Sequence, residues 1–403
     1  MKYIIILGDG MAGLPIAELG GRTTLQAATK PAIDALTRLG RTGLLHTVPE
    51  AYEPGSEIAN LAVMGYNLDR VFEGRGSLEA ASMGVDIEEG EMAMRCNLIT
   101  IDSDGKIKNH SAGHISSSEA SELIDYLNEN LDEDLVQLFS GISYRHLLKM
   151  KGGNKDLKCT PPHDVPGTPF ADVMIVAQSA EAEESAALLN RLTLRSQKLL
   201  RDHPINQRRI AEGKDPANSI WMWSPGYKPA METLSEKYGL KSGSVISAVD
   251  LIKGIGVYAG LKVIDVEGAT GLYDTNYEGK TAAAIEALRS DDFVYLHIEA
   301  SDEAGHEGDP ALKIRTIEYL SERVVAPIME AVKEFEEPVT IALLPDHPTP
   351  CDLRTHTREA VPFVIYNPNK EGDSITQYDE FSLLNGYYGE LVGDQFMEEL
   401  LKE

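Results

Sequence analysis

Three short, unbroken apolar runs of this chain each close on a carboxylate or a histidine. "YIIILGD" ends in Asp9, "VYLHIEASDEAGH" leads into Asp302 and His306, and "TIALLPDH" ends in Asp346 and His347. Unbroken runs of this kind read as strands covered on both faces, the habit of a parallel sheet flanked by helices. In open α/β sheets ligands bind beyond the carboxyl ends of the strands, so these three endings should converge. His356 lies shortly before a further strand, "PFVIY", and joins the set.

The rest of the chain is compatible with that sheet. Residues 1 to about 90 alternate strands and helices: "KYIIIL" and "TGLLHTV" as strands, "TKPAIDALTRLG" as a helix closed by Gly40, and "EIANLAVMGY" as a helix starting after "EPGS". The alternation resumes from about residue 218. There "DFVYLHIEA" is a strand and "LKIRTIEYLSERVVAPIMEAVKEF" has the apolar spacing of one long amphipathic helix. Between them the character changes. "DSDG" is a hairpin signal, "SSSEASELIDYLNENL" opens as a capped helix, and two loop-rich segments follow. The expected organisation is a discontinuous α/β catalytic domain, residues 1–90 and 218–403, with a smaller α+β domain inserted over 91–217.

Charge narrows the partners. Lys and Arg number 37 against 64 Asp and Glu, a net charge of −27. Such a chain repels nucleic acid and anionic membranes, while a small phosphate compound can still bind where metal ions or a local basic pocket supply positive charge. Cys96, Cys159 and Cys351 are far apart and lack CxxC spacing, which fits a reduced cytoplasmic protein. The apolar run Tyr3 to Leu7 is too short for a signal-peptide core, and no later stretch is long and apolar enough to cross a bilayer.

Taken singly, an Asp after a strand reads as a turn or helix cap. Repetition of the habit at three strand ends favours a shared site. Asp302 and His306 are four apart, which places both on one face of a helical turn. Asp9, Asp302 and Asp346 with His306, His347 and His356 make a mixed oxygen and imidazole set suited to Mn²⁺ or Zn²⁺. Six ligands exceed the need of one tetrahedral ion and suit a pair. Ser56, at the expected N-cap of its helix, is the candidate nucleophile.

The chain resembles the cofactor-independent (2,3-bisphosphoglycerate-independent) phosphoglycerate mutases of the archaeal type, within the alkaline phosphatase superfamily. The resemblance runs through "ILGDGMAG", "PGSEIANLAVMGYN", "GRGSLEAA", "YRHLL", "NQRRIAEGKDPAN", "VIDVEGATGLYDTNYEGK", "SDEAGHEGD" and "PDHPTP". It implies an alkaline-phosphatase-like α/β/α sandwich with a mostly parallel sheet. It also implies two divalent ions, commonly manganese, one held by Asp9, Ser56, Asp346 and His347 and the other by Asp302, His306 and His356. The implied activity is interconversion of 3-phosphoglycerate and 2-phosphoglycerate through a phosphoserine at Ser56, with the inserted domain closing over the substrate.

Three places depart from the family pattern. "NHSAGH", residues 109–114, stands where members read like DRRAGR, so His110 and His114 replace arginines. "MWSPG", residues 222–226, stands for a stretch like LRGAG, and Glu299 for a Lys before the metal-binding loop. A carboxylate beside phosphate is unfavourable, whereas it suits an ammonium group. The alternative implied is a homoserine-kinase-like phosphotransferase using the same phosphoserine and metal site. The candidate substrate contacts are His110, His114, Arg145, Arg208, Lys280 and Glu299.

Overall fold

The structure, a computed structural model, describes residues 1–402. Two compact units divide the chain: Met1–Phe72 with Ala230–Glu403, and Glu73–Pro229.

The first unit is built on an eight-stranded sheet. Its strands run, in spatial order, Lys262–Val263, Gly243–Ile246, Phe293–Ile298, Lys2–Gly8, Val339–Leu344, Val361–Tyr366, Arg41–His46 and Glu390–Val392. Val361–Tyr366 is antiparallel to both neighbours, and every other pairing is parallel. The sheet is thus mostly parallel, as expected. Every residue of Lys2–Gly8, Phe293–Ile298 and Val339–Leu344 is buried, which requires cover on both faces.

Register places the site. Leu7 lies level with His297 on one side and Leu344 on the other. Asp9, the segment leading to Asp302, and Asp346 therefore leave the sheet at the same height. Because Val361–Tyr366 runs the opposite way, its starting end, just after His356, also lies at this edge.

The helix expected over 312–335 is interrupted. Regular α-helix covers Pro310–Tyr319 and Ala326–Ala331, with a π-helical turn at Leu320–Val325 between them. Pro327 explains the break, because it has no N–H to return to the carbonyl of Arg323. That carbonyl instead accepts the Thr281 hydroxyl at 3.1 Å.

The second unit is α+β. Strand Glu91–Ile101 pairs antiparallel with Ile107–Asn109, Arg145–Lys151 and Ser219–Gly226, and Val136–Phe139 pairs with Arg145–Lys151. Helices Ser117–Asn130 and Glu183–Leu200 close its core through Leu123, Leu127, Leu189 and Leu192. Its limits differ from 91–217 for a packing reason. Ser219–Gly226 is an integral strand of this sheet, and helix Arg75–Ser82 packs on the same strands, with Ala80 against Ala93 and Leu147.

Candidate active site

Helix Ala300–Glu307 begins directly after the strand that carries His297, and places Asp302 and His306 on one face, Nε2 to Oδ2 at 3.3 Å. His306 Nε2 lies 2.9 Å from His356 Nε2, whose ring also approaches Asp302 Oδ1 at 3.5 Å. The His347 ring sits 4.0 Å from that of His356, and its Nε2 faces Asp346 Oδ2 at 3.4 Å and Asp9 Oδ1 at 3.7 Å. Two overlapping groups result, Asp9–Asp346–His347 and Asp302–His347–His356. In each, the ligand atoms lie within 4.8 Å of one another.

Ser56 is the first residue of helix Ser56–Val63, and the N-cap is Gly55, not the serine. The Ser56 hydroxyl is thus not at the capping position, and it stands 3.2 Å from His347 Nε2. The ordinary use of a serine at a helix start is therefore not its use here. Gly10 lets the loops close, because a Cβ there would lie 2.5 Å from Asp302 Oδ1 and 2.6 Å from Thr349 Oγ1.

The electrostatics of this cluster are dominated by buried carboxylates and imidazoles that could hold a cation. Burial, then the neighbouring charge of Asp346, pushes the Asp9 carboxyl well above the usual carboxylate range. Burial works the same way on Asp302, yet hydrogen bonds from His306 and His356 hold it well below that range. The bond to Asp302 pushes His306 up to about 9. Among the described residues Asp9 Oδ1 is buried without a hydrogen-bond partner, in a cluster of three buried carboxylates. An orphaned carboxylate oxygen among these oxygen and imidazole donors fits a site for a divalent metal ion.

Polar residues that the sequence did not single out hold these groups. His297, fully buried, contacts Asp9 Oδ2 at 2.9 Å and Ser247 Oγ at 3.1 Å. Asn60 donates to Asp346 Oδ2 and to the Ser56 carbonyl, each at 2.8 Å, and accepts from the Tyr295 hydroxyl at 2.6 Å. The buried ammonium of Lys313 donates to the carbonyls of Ala12 (2.8 Å) and Thr349 (2.7 Å), tying the loop after Asp9 to the loop after His347. A single sequence gives little warning of them, since one polar side chain in a buried strand (His297) or helix (Asn60, Lys313) breaks no visible period.

The candidate substrate contacts lie apart in kind. Lys280 is fully buried, its ammonium turned to the carbonyls of Thr270 (3.4 Å) and His297 (3.5 Å). Burial lowers it to about 8, against the nearby charge of Glu299. In the second unit His110 and His114 pack edge-on to Tyr144, with ring centroids 5.7 and 6.2 Å away, and Arg145 lies 5.8 Å over the same ring. Arg208 is bound to Glu119 at 3.0 Å. Arg75 and Arg95, also in this unit, share Glu79 at 2.9 and 2.6 Å.

The family model described as 2,3-bisphosphoglycerate-independent phosphoglycerate mutase matches residues 37–206. A Methanosarcina acetivorans protein of that name is 49% identical over the full length of both chains. A Geobacter sulfurreducens protein named as a probable member is 47% identical over 98% of each. Among solved structures, a Pyrococcus horikoshii protein aligns with a TM-score of 0.84 at 28% identity, covering 100% of this chain and 96% of its own. A cofactor-independent phosphoglycerate mutase from Thermoplasma acidophilum aligns at 0.69 and 26% identity, covering 100% and 99%.

Proposed function

The chain belongs to the 2,3-bisphosphoglycerate-independent phosphoglycerate mutase family, and from that premise we propose that it interconverts 3-phosphoglycerate and 2-phosphoglycerate through Ser56. The observation that carries this reading is the Ser56 hydroxyl, uncommitted to its helix and 3.2 Å from His347 Nε2 among buried carboxylates.

In the proposed reaction Ser56 Oγ bonds to phosphorus as the bond to the substrate's 3-oxygen breaks, and a proton passes to that oxygen. The phosphoserine is then attacked by the 2-hydroxyl, whose proton returns to Ser56. Asp9, Ser56, Asp346 and His347 would hold one divalent ion and Asp302, His306 and His356 a second. Mn²⁺ suits this mixture of carboxylate and imidazole donors. Bound there, the metal would stabilise negative charge on the reacting oxygens. Asn60 fixes the start of the Ser56 helix to Asp346, and His297 orients the carboxylate of Asp9. We assign substrate contacts to His110, His114 and Arg145. Lys280 and Glu299 belong in this reading to a mutually balanced pair of charges rather than to a free anion grip.

The relatives matched carry the mutase name end to end, and nothing among them favours the amino-alcohol kinase alternative. The three free cysteines support a reducing, cytoplasmic setting.

Acid quenching during turnover of 3-phosphoglycerate with Mn²⁺, followed by peptide mass spectrometry, tests the intermediate. A phosphopeptide modified at Ser56 is expected. Steady turnover with phosphate on a different residue, or on none, would overturn it.

A further inference from the structure

The hydroxyl of Thr349 touches two members of the site at once. It stands 2.5 Å from Asp302 Oδ1 and 3.3 Å from His347 Nδ1, with all three residues buried. A hydroxyl carries one proton and can also accept. A carboxylate only accepts, and at 2.5 Å two oxygens need the proton between them, as a short charge-assisted bond. The Thr349 proton is therefore committed to Asp302. What remains toward His347 is a lone pair, so Nδ1 must be the nitrogen that carries hydrogen.

We propose that Thr349 is a positioning residue that sets the tautomer of His347. With the hydrogen on Nδ1, the ring presents the bare Nε2 to Ser56 Oγ at 3.2 Å and to the space shared with Asp9 Oδ1 and Asp346 Oδ2. That is the form a cation and an ionising serine both require, since a hydrogen on Nε2 would block either.

Without the hydroxyl the preference reverses. Nε2 has three oxygen acceptors around it at 3.2 to 3.7 Å, whereas among the described residues Nδ1 has only Thr349 as a hydrogen-bond partner. The carboxylates of Asp9 and Asp346 would draw the hydrogen to Nε2. The same hydroxyl also ties Asp302, from one ligand group, to His347, which belongs to both.

The catalytic consequence rests on the reading of Ser56 as nucleophile. The protonation of the ring does not, so the two fail separately. In metal-free protein carrying ¹⁵N-labelled histidine, long-range ¹H–¹⁵N correlation reports which ring nitrogen bears hydrogen, with His347 identified by its loss in His347→Gln. The Nδ1–H form is expected in the wild type and in Thr349→Ser, which keeps the hydroxyl. A shift to the Nε2–H form is expected in Thr349→Val, together with Mn²⁺ affinity weakened about 10- to 100-fold by calorimetry. Wild-type protein in the Nε2–H form overturns the proposal whatever its turnover. So does Thr349→Val that folds, by circular dichroism, and keeps the wild-type tautomer. If Thr349→Val does not fold, Thr349→Ala, which also removes the hydroxyl, makes the same test, and the wild-type tautomer in that variant overturns the proposal.

Discussion

Asn60 and Asp346 meet side chain to side chain in full burial, Nδ2 to Oδ2 at 2.8 Å. The same nitrogen reaches the Ser56 carbonyl, so one amide links the helix of the proposed nucleophile to the carboxylate of Asp346. Its orientation is forced. Both contacts on Nδ2 are acceptors, and Tyr295 can donate to Oδ1.

Asn60→Asp should therefore be far worse than its size suggests. It exchanges a donor for a carboxylate facing Asp346, loses a charge-assisted bond of about 1.5–3 kcal/mol and adds repulsion. We expect kcat to fall at least about 100-fold with little change in KM, and steady-state kinetics check it. Tyr295→Phe, which removes only the donor to Oδ1, should cost less.

Metal removal should lower stability as well as activity. Asp9, Asp302 and Asp346 are buried close together, and Asp9 feels both of the others as unfavourable charge. A chelator should abolish turnover and lower the melting temperature. Excess Mn²⁺ should restore both, with a stabilisation of about 2.7 kcal/mol at 100 times Kd. Scanning calorimetry with and without chelator is the measurement.

Glu299→Lys separates a substrate-reading role from charge balance. Glu299 supplies favourable charge to a Lys280 ammonium that burial has already lowered to about 8. A second ammonium there should destabilise the protein, and the melting temperature should drop by several degrees without a gain in phosphoglycerate turnover. Improved kcat/KM for 3-phosphoglycerate would instead assign position 299 to the substrate.

Acid should find a weak point at His146. Burial lowers this imidazole to about 3 from an ordinary 6.5. Its Nδ1 accepts the Gly141 N–H at 3.1 Å, and its Nε2 is buried without a partner. The folded ring stays neutral while the unfolded ring takes a proton below about 6.5. Stability is therefore lost as pH falls from about 6.5 towards 3, because there the unfolded chain binds more protons. His146→Gln should flatten that slope in urea unfolding measured across this range.

The strand endings made the site legible. Asp9, Asp302 and Asp346 announce themselves because a carboxylate at the end of an apolar run is conspicuous, and adjacent parallel strands then bring them level. The π-helical turn at Leu320–Val325 was hidden, since apolar spacing alone continues through it and only Pro327 signals the break. The limits of the inserted unit were hidden too. "SIWMWSPG" reads as strand wherever it belongs, and only its pairing with Glu91–Ile101 assigns it. Ser56 was legible as a helix start but not as a hydroxyl released from capping, because Ser outranks Gly as an N-cap and yet the preceding Gly55 takes that position. Thr349, Asn60 and His297 act through contacts between residues distant in sequence, and no spacing rule encodes those.

The most direct test is conversion of 3-phosphoglycerate to 2-phosphoglycerate by purified, Mn²⁺-loaded protein in the absence of 2,3-bisphosphoglycerate, with Ser56→Ala measured alongside. Wild-type protein should catalyse the conversion, and Ser56→Ala should lose at least about 10⁴-fold in kcat. Wild-type protein that leaves 3-phosphoglycerate unchanged, or Ser56→Ala that matches it in rate, would contradict the assignment.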